Sequence, residues 1–360
     1  MKTGIIGLPQ VGKTSLFRML TKVQVDAAHH NPREAHIGVA RVPDDRLDRL
    51  AALYNPKKLI HASVEYVDVA AMSQEALKDT AYATALRNVD SLAHVVRAFD
   101  DPSIPHVGPV DPLRDIRNVD FDLMINDLGQ VEKRLERVEK DLKKMRGPEL
   151  EKEQELLLKC KAQLEAEKPL RELVLTPEDR KRLRGFMFLS QKSMLYVLNI
   201  SESSDLGSDL ATAVDKFKVN EVAARPNAGA TAICGKVEAE LAEMEDAEAA
   251  EFLASYNLKE SGLTRLIRKT YELLGLISFF TVGEDECRAW TVDHGIRAVN
   301  AAAAIHSDLE KHFIRAETIH WDALLEAGSE ANARAKGTLR LEGKDYIVKD
   351  GDVMHIRHSG

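Results

Sequence analysis

Residues 7–14 read GLPQVGKT and follow a short apolar run, Thr3 to Ile6, that suits a buried first strand. The pattern is a glycine, four free positions, then Gly-Lys-Ser/Thr, the form of a loop that cradles phosphate between a strand and a helix. Gly7 and Gly12 can take backbone angles a side chain forbids, so successive amide N–H groups turn inward around a β-phosphate. Lys13 supplies a mobile positive charge for the β- and γ-phosphates, and the Thr14 hydroxyl is placed to ligate Mg²⁺. The helix starting near Lys13 carries an apolar face, Leu16, Phe17 and Leu20, and points its partly positive N-terminus at the same anion. Pro9, Gln10, Val11 and Ser15 complete the candidate nucleotide-binding loop.

At 360 residues the chain has room for two or three domains, and 44% hydrophobic with 30% charged residues is ordinary globular chemistry. No run of about eighteen apolar residues occurs, so no segment is read as spanning a membrane. The N-terminus passes straight into a strand without an apolar export segment, and a cytoplasmic protein is expected. Cys160, Cys234 and Cys287 are far apart and form no Cys-x-x-Cys pair, which argues against zinc and against a disulfide scaffold. A net charge of -8 gives no general pull toward nucleic acid.

Apolar runs then alternate with helical patterns, the signature of a mainly parallel sheet with crossover helices. Strands are expected at Thr3 to Ile6, Ile37 to Val42, Ser63 to Val69 and Leu92 to Phe99. Asp68, at the carboxyl end of the third, stands where nucleotide switch proteins hold Mg²⁺, usually through water. Ala71 occupies the place of the glycine whose amide meets the γ-phosphate. No glycine occurs between Gly38 and Gly108, so the segment after Asp68 reads as helix (Ala76, Leu77, Ala81, Ala85, Leu86) rather than as a flexible loop.

From residue 122 to 168 the pattern changes to a helical hairpin. Leu128, Val131, Leu135, Val138, Leu142 and Met145 recur at spacings of three and four, Gly147-Pro148 breaks the run, and Leu150, Leu157 and Leu164 bring it back. Its interleaved charges read as a solvated face; Arg180-Lys181-Arg182-Leu183-Arg184 is a basic cluster that suits either RNA phosphates or a solvated helix end. The sheet resumes at Ser193 to Ile200 and ends in Asn199-Ile200-Ser201-Glu202, an amide and a carboxylate where a base would sit. Guanine-specific proteins use Asn-Lys-x-Asp there. With Ile200 and Glu202 in those places the guanine fork is lost, while Asn199 can still address N7 and the 6-position of a purine. Another strand, Thr231 to Cys234, leads into Gly235-Lys236, and Glu238 to Tyr256 and Gly262 to Leu274 read as helices.

GLPQVGKTSLF, RVPDDRLDRLA, SVEYVDVA, HVVRAF, VDPLRDI, VEKRLERVEK, NISE, ESGLTRLI, FFTVGEDECRAWTV and GKDYIVKDGDVMHIR together resemble the YchF, or Obg-like ATPase, family nearly end to end. The resemblance implies an α/β P-loop NTPase sheet that prefers ATP, an inserted antiparallel helical hairpin and a C-terminal β-grasp (TGS) domain. It implies ATP and Mg²⁺ as ligands, the ribosome or a ribosomal subunit as partner, RNA contact through the hairpin and the TGS domain, and a role in translation or stress. Residue by residue, Gly7, Gly12, Lys13 and Thr14 match the phosphate loop, Thr14 and Asp68 the metal site, and Asn199, Ile200, Glu202, Cys234 and Gly235 the base end. His106 matches the histidine used where other switch proteins have a catalytic glutamine, making His106 and Lys13 the catalytic candidates.

The expected domains are residues 1–121 and 185–276 for the nucleotide-binding sheet, 122–184 for the hairpin and 277–360 for the TGS domain. In the last, Ser278 to Val282, Arg288 to Val292, Tyr346 to Val348 and Val353 to Ile356 read as strands and Ala298 to Ile305 as a helix. Its six histidines show no close metal-ligand spacing, and Trp290 and Trp321 read as core or interface residues. The chain departs from the family in Gln10, where the family has Asn, in having no Ser or Thr from Val23 to Val42, and in a second switch without glycine. Both switch segments are altered, so nucleotide binding with slow or absent hydrolysis is expected. Two readings stay open: an ATP-driven switch with weak hydrolysis, and an adaptor that binds nucleotide without hydrolysing it, with GTP as the alternative ligand.

Overall fold

The computed structural model describes residues 1–22, 35–106, 108–145 and 147–359. The altered first switch falls largely on residues 23–34, outside the described residues. In chain order the strands are β1 (Lys2–Ile6), β2 (His36–Arg41), β3 (Lys58–Ile60), β4 (Ser63–Asp68), β5 (Ser91–Ala98), β6 (Ser193–Ile200), β7 (Ala228–Ile233), β8 (Leu276–Thr281), β9 (Glu286–Asp293), β10 (Phe313–His320), β11 (Arg340–Glu342) and β12 (Asp352–His358). They form two sheets in two compact units, one made of residues 1–39 and 65–273 and the other of residues 40–64 and 274–360.

The first sheet has the order β2-β4-β1-β5-β6-β7, and β1 is parallel to both β4 and β5, β5 to β6 and β6 to β7. All eight residues of β5 are buried, as expected of a central parallel strand covered on both faces. Every strand of this run therefore ends on one edge, where β1 delivers the loop at Gly7, β4 delivers Asp68, β5 the segment toward His106, and β6 Asn199.

The helix expected from 122 starts ten residues earlier and runs over Pro112–Lys144. Asp111 caps it by accepting from the Arg114 amide at 3.1 Å, and Pro112 sits in the first turn, where its missing N–H costs nothing. The difference has a physical reason. Ile116, Val119 and Leu123 pack into the sheet's core, while Val131, Leu135 and Val138 pack against Leu157, Cys160 and Leu164 of the returning helix Pro148–Glu165. One helix thus serves two cores. Arg134 forks onto Glu153 at 2.7 and 2.9 Å and Lys161 meets Glu132 at 3.0 Å, so part of the hairpin's charge spans the two helices rather than facing water alone. Of the basic cluster, Arg182 is spent on Glu149 and Glu178. The 238–256 stretch forms two helices, Gly235–Leu241 and Asp246–Ser255.

At the hairpin's root the buried Arg171 donates to Asp120 at 2.6 Å and to the Tyr196 hydroxyl at 2.9 Å, and Tyr196 donates to the same carboxylate oxygen at 2.8 Å. Asp127, about two turns further along the same helix, is fully buried and accepts from the backbone amides of Leu189 and Ser190 at 2.9 and 2.7 Å.

The second sheet has the order β11-β10-β12-β8-β9-β3 and is mixed: β8 is antiparallel to β9, β10 to β12 and β10 to β11, and β8 is parallel to β12. Ala298, Ala301 and Ala302 of the crossing helix Ala298–Ile305 pack on Phe279, Val292, Met354 and Ile356, the arrangement of a β-grasp core. Small residues let the helix lie close to the sheet. The expected strand at Tyr346 to Val348 is only a bridge between Ile347 and Arg297, and β10 was not foreseen. Residues 40–64, expected in the first domain, belong to this second unit. β3 pairs parallel to β9, Arg46 of the helix Asp45–Tyr54 joins the carboxylates of Asp44 and Asp350 at 2.8 and 2.6 Å, and the Arg49 guanidinium lies 4.9 Å from the centre of the Trp321 ring.

Burial holds the Asp127 carboxyl up at about 6 against an ordinary 3.8, its three hydrogen bonds opposing only part of the shift. An acid whose pKa is raised by folding stabilises the fold below its unfolded pKa and loses that contribution as pH rises through its folded pKa. From pH 4 to pH 7 the unfolding free energy of Asp127→Asn, which cannot titrate, should therefore rise relative to the native protein by about 2 kcal/mol. Urea unfolding of both proteins across that range measures the difference, and a flat difference contradicts it.

Candidate functional site

Gly7 leaves β1 beside β5 so closely that a Cβ there would stand 2.7 Å from the Val95 carbonyl oxygen. Only glycine permits that approach. Gln10 and Gly12 then take left-handed backbone conformations, φ 61° and 95°, and a Cβ on Gly12 would meet Asn199 Nδ2 at 2.8 Å. The loop turns into the helix Lys13–Thr21, whose buried Leu16, Phe17 and Leu20 anchor it as the sequence pattern predicts. Val11 is buried beneath the loop, Pro9 and Gln10 are exposed on it, and Thr14 and Ser15 stand at the helix start.

Lys13 is buried, and its ammonium donates to the Asp68 carboxylate and to the Val69 carbonyl oxygen. Asp68 is 2% exposed. Two buried charges at the meeting of β1 and β4 satisfy each other, since either one alone would bear the full cost of desolvation. Above them opens a cavity of about 300 Å³ lined by Gln10, Gly12, Lys13, Thr14, Ser15, Asp68 and Ala71, with His36 of β2 at its rim. Amides at a helix start, an ammonium, a hydroxyl and a carboxylate face one space. That set suits a phosphate chain and a hard cation with oxygen ligands. Met72 donates its amide to the Gly7 carbonyl at 2.9 Å, tying the segment after Asp68 to the loop. That segment forms the helices Gln74–Lys78 and Thr80–Arg87, as its lack of glycine predicts.

Asn199 bridges two backbones. Its Nδ2 donates to the Val11 carbonyl at 3.0 Å and its Oδ1 accepts from the Gly235 amide at 2.9 Å. The sequence reading puts Asn199 at the base; in the structure one of its two amide hydrogens and one lone pair of its oxygen brace the phosphate loop against the 234–235 turn. Glu202 accepts from the Tyr256 hydroxyl at 2.7 Å and pairs with Lys236 at 2.7 Å, and these bonds, Lys236 first, hold its carboxyl below the usual range. Ile200 and Cys234 are buried, and burial pushes the Cys234 thiol up. Lys236 follows directly on the sequence-selected Cys234-Gly235, but nothing in the pattern of residues singles out Tyr256.

His106 stands apart from these groups and does not line the cavity. Its side chain is 15% exposed, its Nδ1 lies 3.0 Å from the Gly108 carbonyl oxygen, and its Nε2 lies 3.6 Å from Asp115 Oδ2. A carbonyl can only accept, so the proton sits on Nδ1 and Nε2 keeps its lone pair unless the ring is charged. Asp115 comes from the same early turns of the long helix that the sequence did not place.

Comparison with known proteins bears on the whole chain. Residues 276–359 match the family model YchF-GTPase_C, described as "Protein of unknown function (DUF933)". The chain is 42% identical over 364 residues to the ribosome-binding ATPase YchF of Bacillus subtilis, covering 99% of both chains. It is 40% identical over 364 residues to the protein of that name from Escherichia coli O157:H7, covering 99% of this chain and 98% of the other. The solved structure of the Schizosaccharomyces pombe YchF GTPase superposes with a TM-score of 0.83 at 31% identity, over 99% of this chain and 97% of that one.

Bracing and base contact make different demands on Asn199. Asn199→Ala leaves the Val11 carbonyl and the Gly235 amide without their partner, and should lower the unfolding free energy of the ligand-free protein by about 1–3 kcal/mol. A contact made only to a bound base would leave the ligand-free protein unchanged, so denaturation without nucleotide separates the two.

Proposed function

The chain belongs to the YchF family, and on that premise we propose that it binds ATP at the cavity beside the 7–14 loop and hydrolyses it slowly. The observation that carries this reading is the buried pairing of Lys13 with Asp68 at the cavity floor. A cation and an anion held together there have complementary exits. Lys13 is placed to exchange a carboxylate for phosphate oxygens, and Asp68, with the Thr14 hydroxyl, to hold a divalent cation. A bound Mg²⁺ supplies neutralisation of charge between the β- and γ-phosphates. The backbone amides from Gly12 to Ser15 orient the phosphate chain, and their alignment is fixed before binding because Asn199 braces the loop. Pro9, Gln10 and Val11 close the loop over the phosphates, and Ile200, Glu202, Cys234 and Gly235 form the base end.

His106 is assigned the role of orienting the attacking water through Nε2, the nitrogen left with a lone pair by the bond to Gly108. Its place outside the cavity lining and the missing switch-one hydroxyl support a low rate. The same two features favour the second reading, an adaptor that binds nucleotide without turnover. We assign ATP over GTP because Glu202 is committed to Lys236 and Tyr256 and Ile200 replaces the lysine of the guanine motif. Ribosome-binding ATPase is the printed name of the bacterial relatives, and the ribosome is accordingly the partner proposed for this chain, in the cytoplasm. RNA contact through the hairpin and the β-grasp domain is part of that proposal. Among the described residues no helix is long and apolar enough to cross a membrane.

Calorimetric titration with ATP, GTP, ADP and a non-hydrolysable ATP analogue, each with Mg²⁺, tests the reading. ATP should bind more tightly than GTP, and Lys13→Ala should weaken ATP binding roughly 30-fold or more, the scale of losing one partner of a buried charge contact. Denaturation of Lys13→Ala without ligand separates loss of binding from loss of fold. Tighter binding of GTP overturns the base assignment, and equal affinity for ADP and the analogue overturns the switch, because equal affinities shift no equilibrium.

A further inference from the structure

Arg97 is the largest fully buried side chain, 1% exposed, in the last turn of pleat of β5. A buried guanidinium is ordinarily hydrogen-bonded to a carboxylate, yet among the described residues none of the hydrogen bonds Arg97 makes goes to one, the Asp101 carboxylate acting on it only through the field between their charges. It donates instead to four backbone carbonyl oxygens: from Nε to Phe99 at 3.1 Å, from Nη1 to Ile104 at 3.1 Å and Pro105 at 3.4 Å, and from Nη2 to Asp101 at 3.1 Å. The ring of Phe99 lies 4.4 Å from the guanidinium carbon and covers its face. All four carbonyls belong to the single loop that leaves β5 and reaches His106. Within the loop Asp101 caps Ser103 and its carbonyl accepts from the Ile104 amide at 3.1 Å, and the segment forms no helix or strand.

A planar fork with five fixed donors is suited to gathering several carbonyls at once, whereas a lysine offers a point charge on a flexible stem. Arg97 also pairs in register with Asn199 of the neighbouring strand, the residue that braces the phosphate loop. Two side chains at one level of adjacent strands therefore fix two different loops on the catalytic edge of the sheet.

We propose that Arg97 is the positioning residue for His106, setting the 99–105 loop so that the imidazole is presented at one place on that edge. The role rests on the assignment of His106 in the proposed hydrolysis. Arg97 touches no nucleotide and acts only through the loop.

The test uses the full-length chain with Arg97→Met, Arg97→Lys, His106→Ala and the double variant Arg97→Met/His106→Ala. Amide hydrogen exchange should quicken at least tenfold across 99–106 in Arg97→Met while β6 keeps its protection, which shows the fold intact. Arg97→Lys, which keeps the charge but not the fork, should loosen the same loop and guards against a failure of Arg97→Met to fold. In single-turnover ATP hydrolysis, Arg97→Met should lower kcat on the order of 10- to 100-fold, the scale of a small misplacement, with KM for ATP unchanged. Its effect should vanish in the His106→Ala background. Unchanged loop exchange, or a loss of rate that multiplies with that of His106→Ala, overturns the proposal. A wild-type rate in His106→Ala overturns the catalytic reading of His106 itself and removes this role with it, an outcome distinct from a His106-dependent rate on which Arg97 acts independently.

Discussion

The contact between the Lys13 ammonium and the Asp68 carboxylate sets the terms for the rest of the first unit. Each group is buried, and each is brought there by a different strand, β1 and β4, which lie side by side and parallel. An unpaired charge at that depth would bear the full cost of desolvation, so each group answers the other. The pair thus requires a parallel sheet whose adjacent strands end together, a loop that dips under its own helix, and a carbonyl, that of Val69, to take a further donor hydrogen. On the nucleotide-binding reading proposed above, Lys13 exchanges that carboxylate for phosphate oxygens and Asp68 exchanges that ammonium for a cation.

The edge around that pair is stiffened by polar side chains that bond to backbone rather than to one another. Asn199 joins Val11 to Gly235, Arg97 gathers the loop after β5, and Met72 returns its amide to Gly7. The same economy recurs at the base of the hairpin, where Asp127 holds the amides of Leu189 and Ser190. Irregular chain passing over a sheet end leaves amides and carbonyls without ladder partners, and buried side chains supply them. The long helix Pro112–Lys144 ties the two regions, since its first turns complete the sheet's core and its last turns complete the hairpin's.

Much of this was legible in the residues. The glycine spacing from Gly7 to Gly12, the β5 run in which six of eight residues are apolar or small, and the heptad-like stripe from Leu128 to Leu142 each report a local constraint, and local constraints survive folding. The misses have a common cause. The start of the long helix was hidden because Ile116, Val119 and Leu123 belong to a different apolar stripe from Val131 and Leu135, so no single period covers the helix. β10 alternates buried and exposed residues irregularly, with a bulge between Phe313 and Arg315, and carries no clean period of two. That Lys13, Thr14 and Asp68 come to line one cavity was readable from the loop's spacing and from the strand end at Asp68. The bracing role of Asn199, the tie of Glu202 to Tyr256 and the turning of His106 toward Asp115 depend on pairs distant in sequence, which no local pattern encodes.

The strand β3 carries a consequence of its own. Residues 40–64 complete a sheet whose other strands are all encoded after residue 275, with Arg46 meeting Asp350 and β3 lying along β9. During synthesis this early segment emerges long before any of its partners exists, and it must wait until the strands encoded after residue 275 have been made. The later module is therefore not a detachable appendage in the order of assembly: its sheet closes across a separation of more than two hundred residues, between β3 and β9.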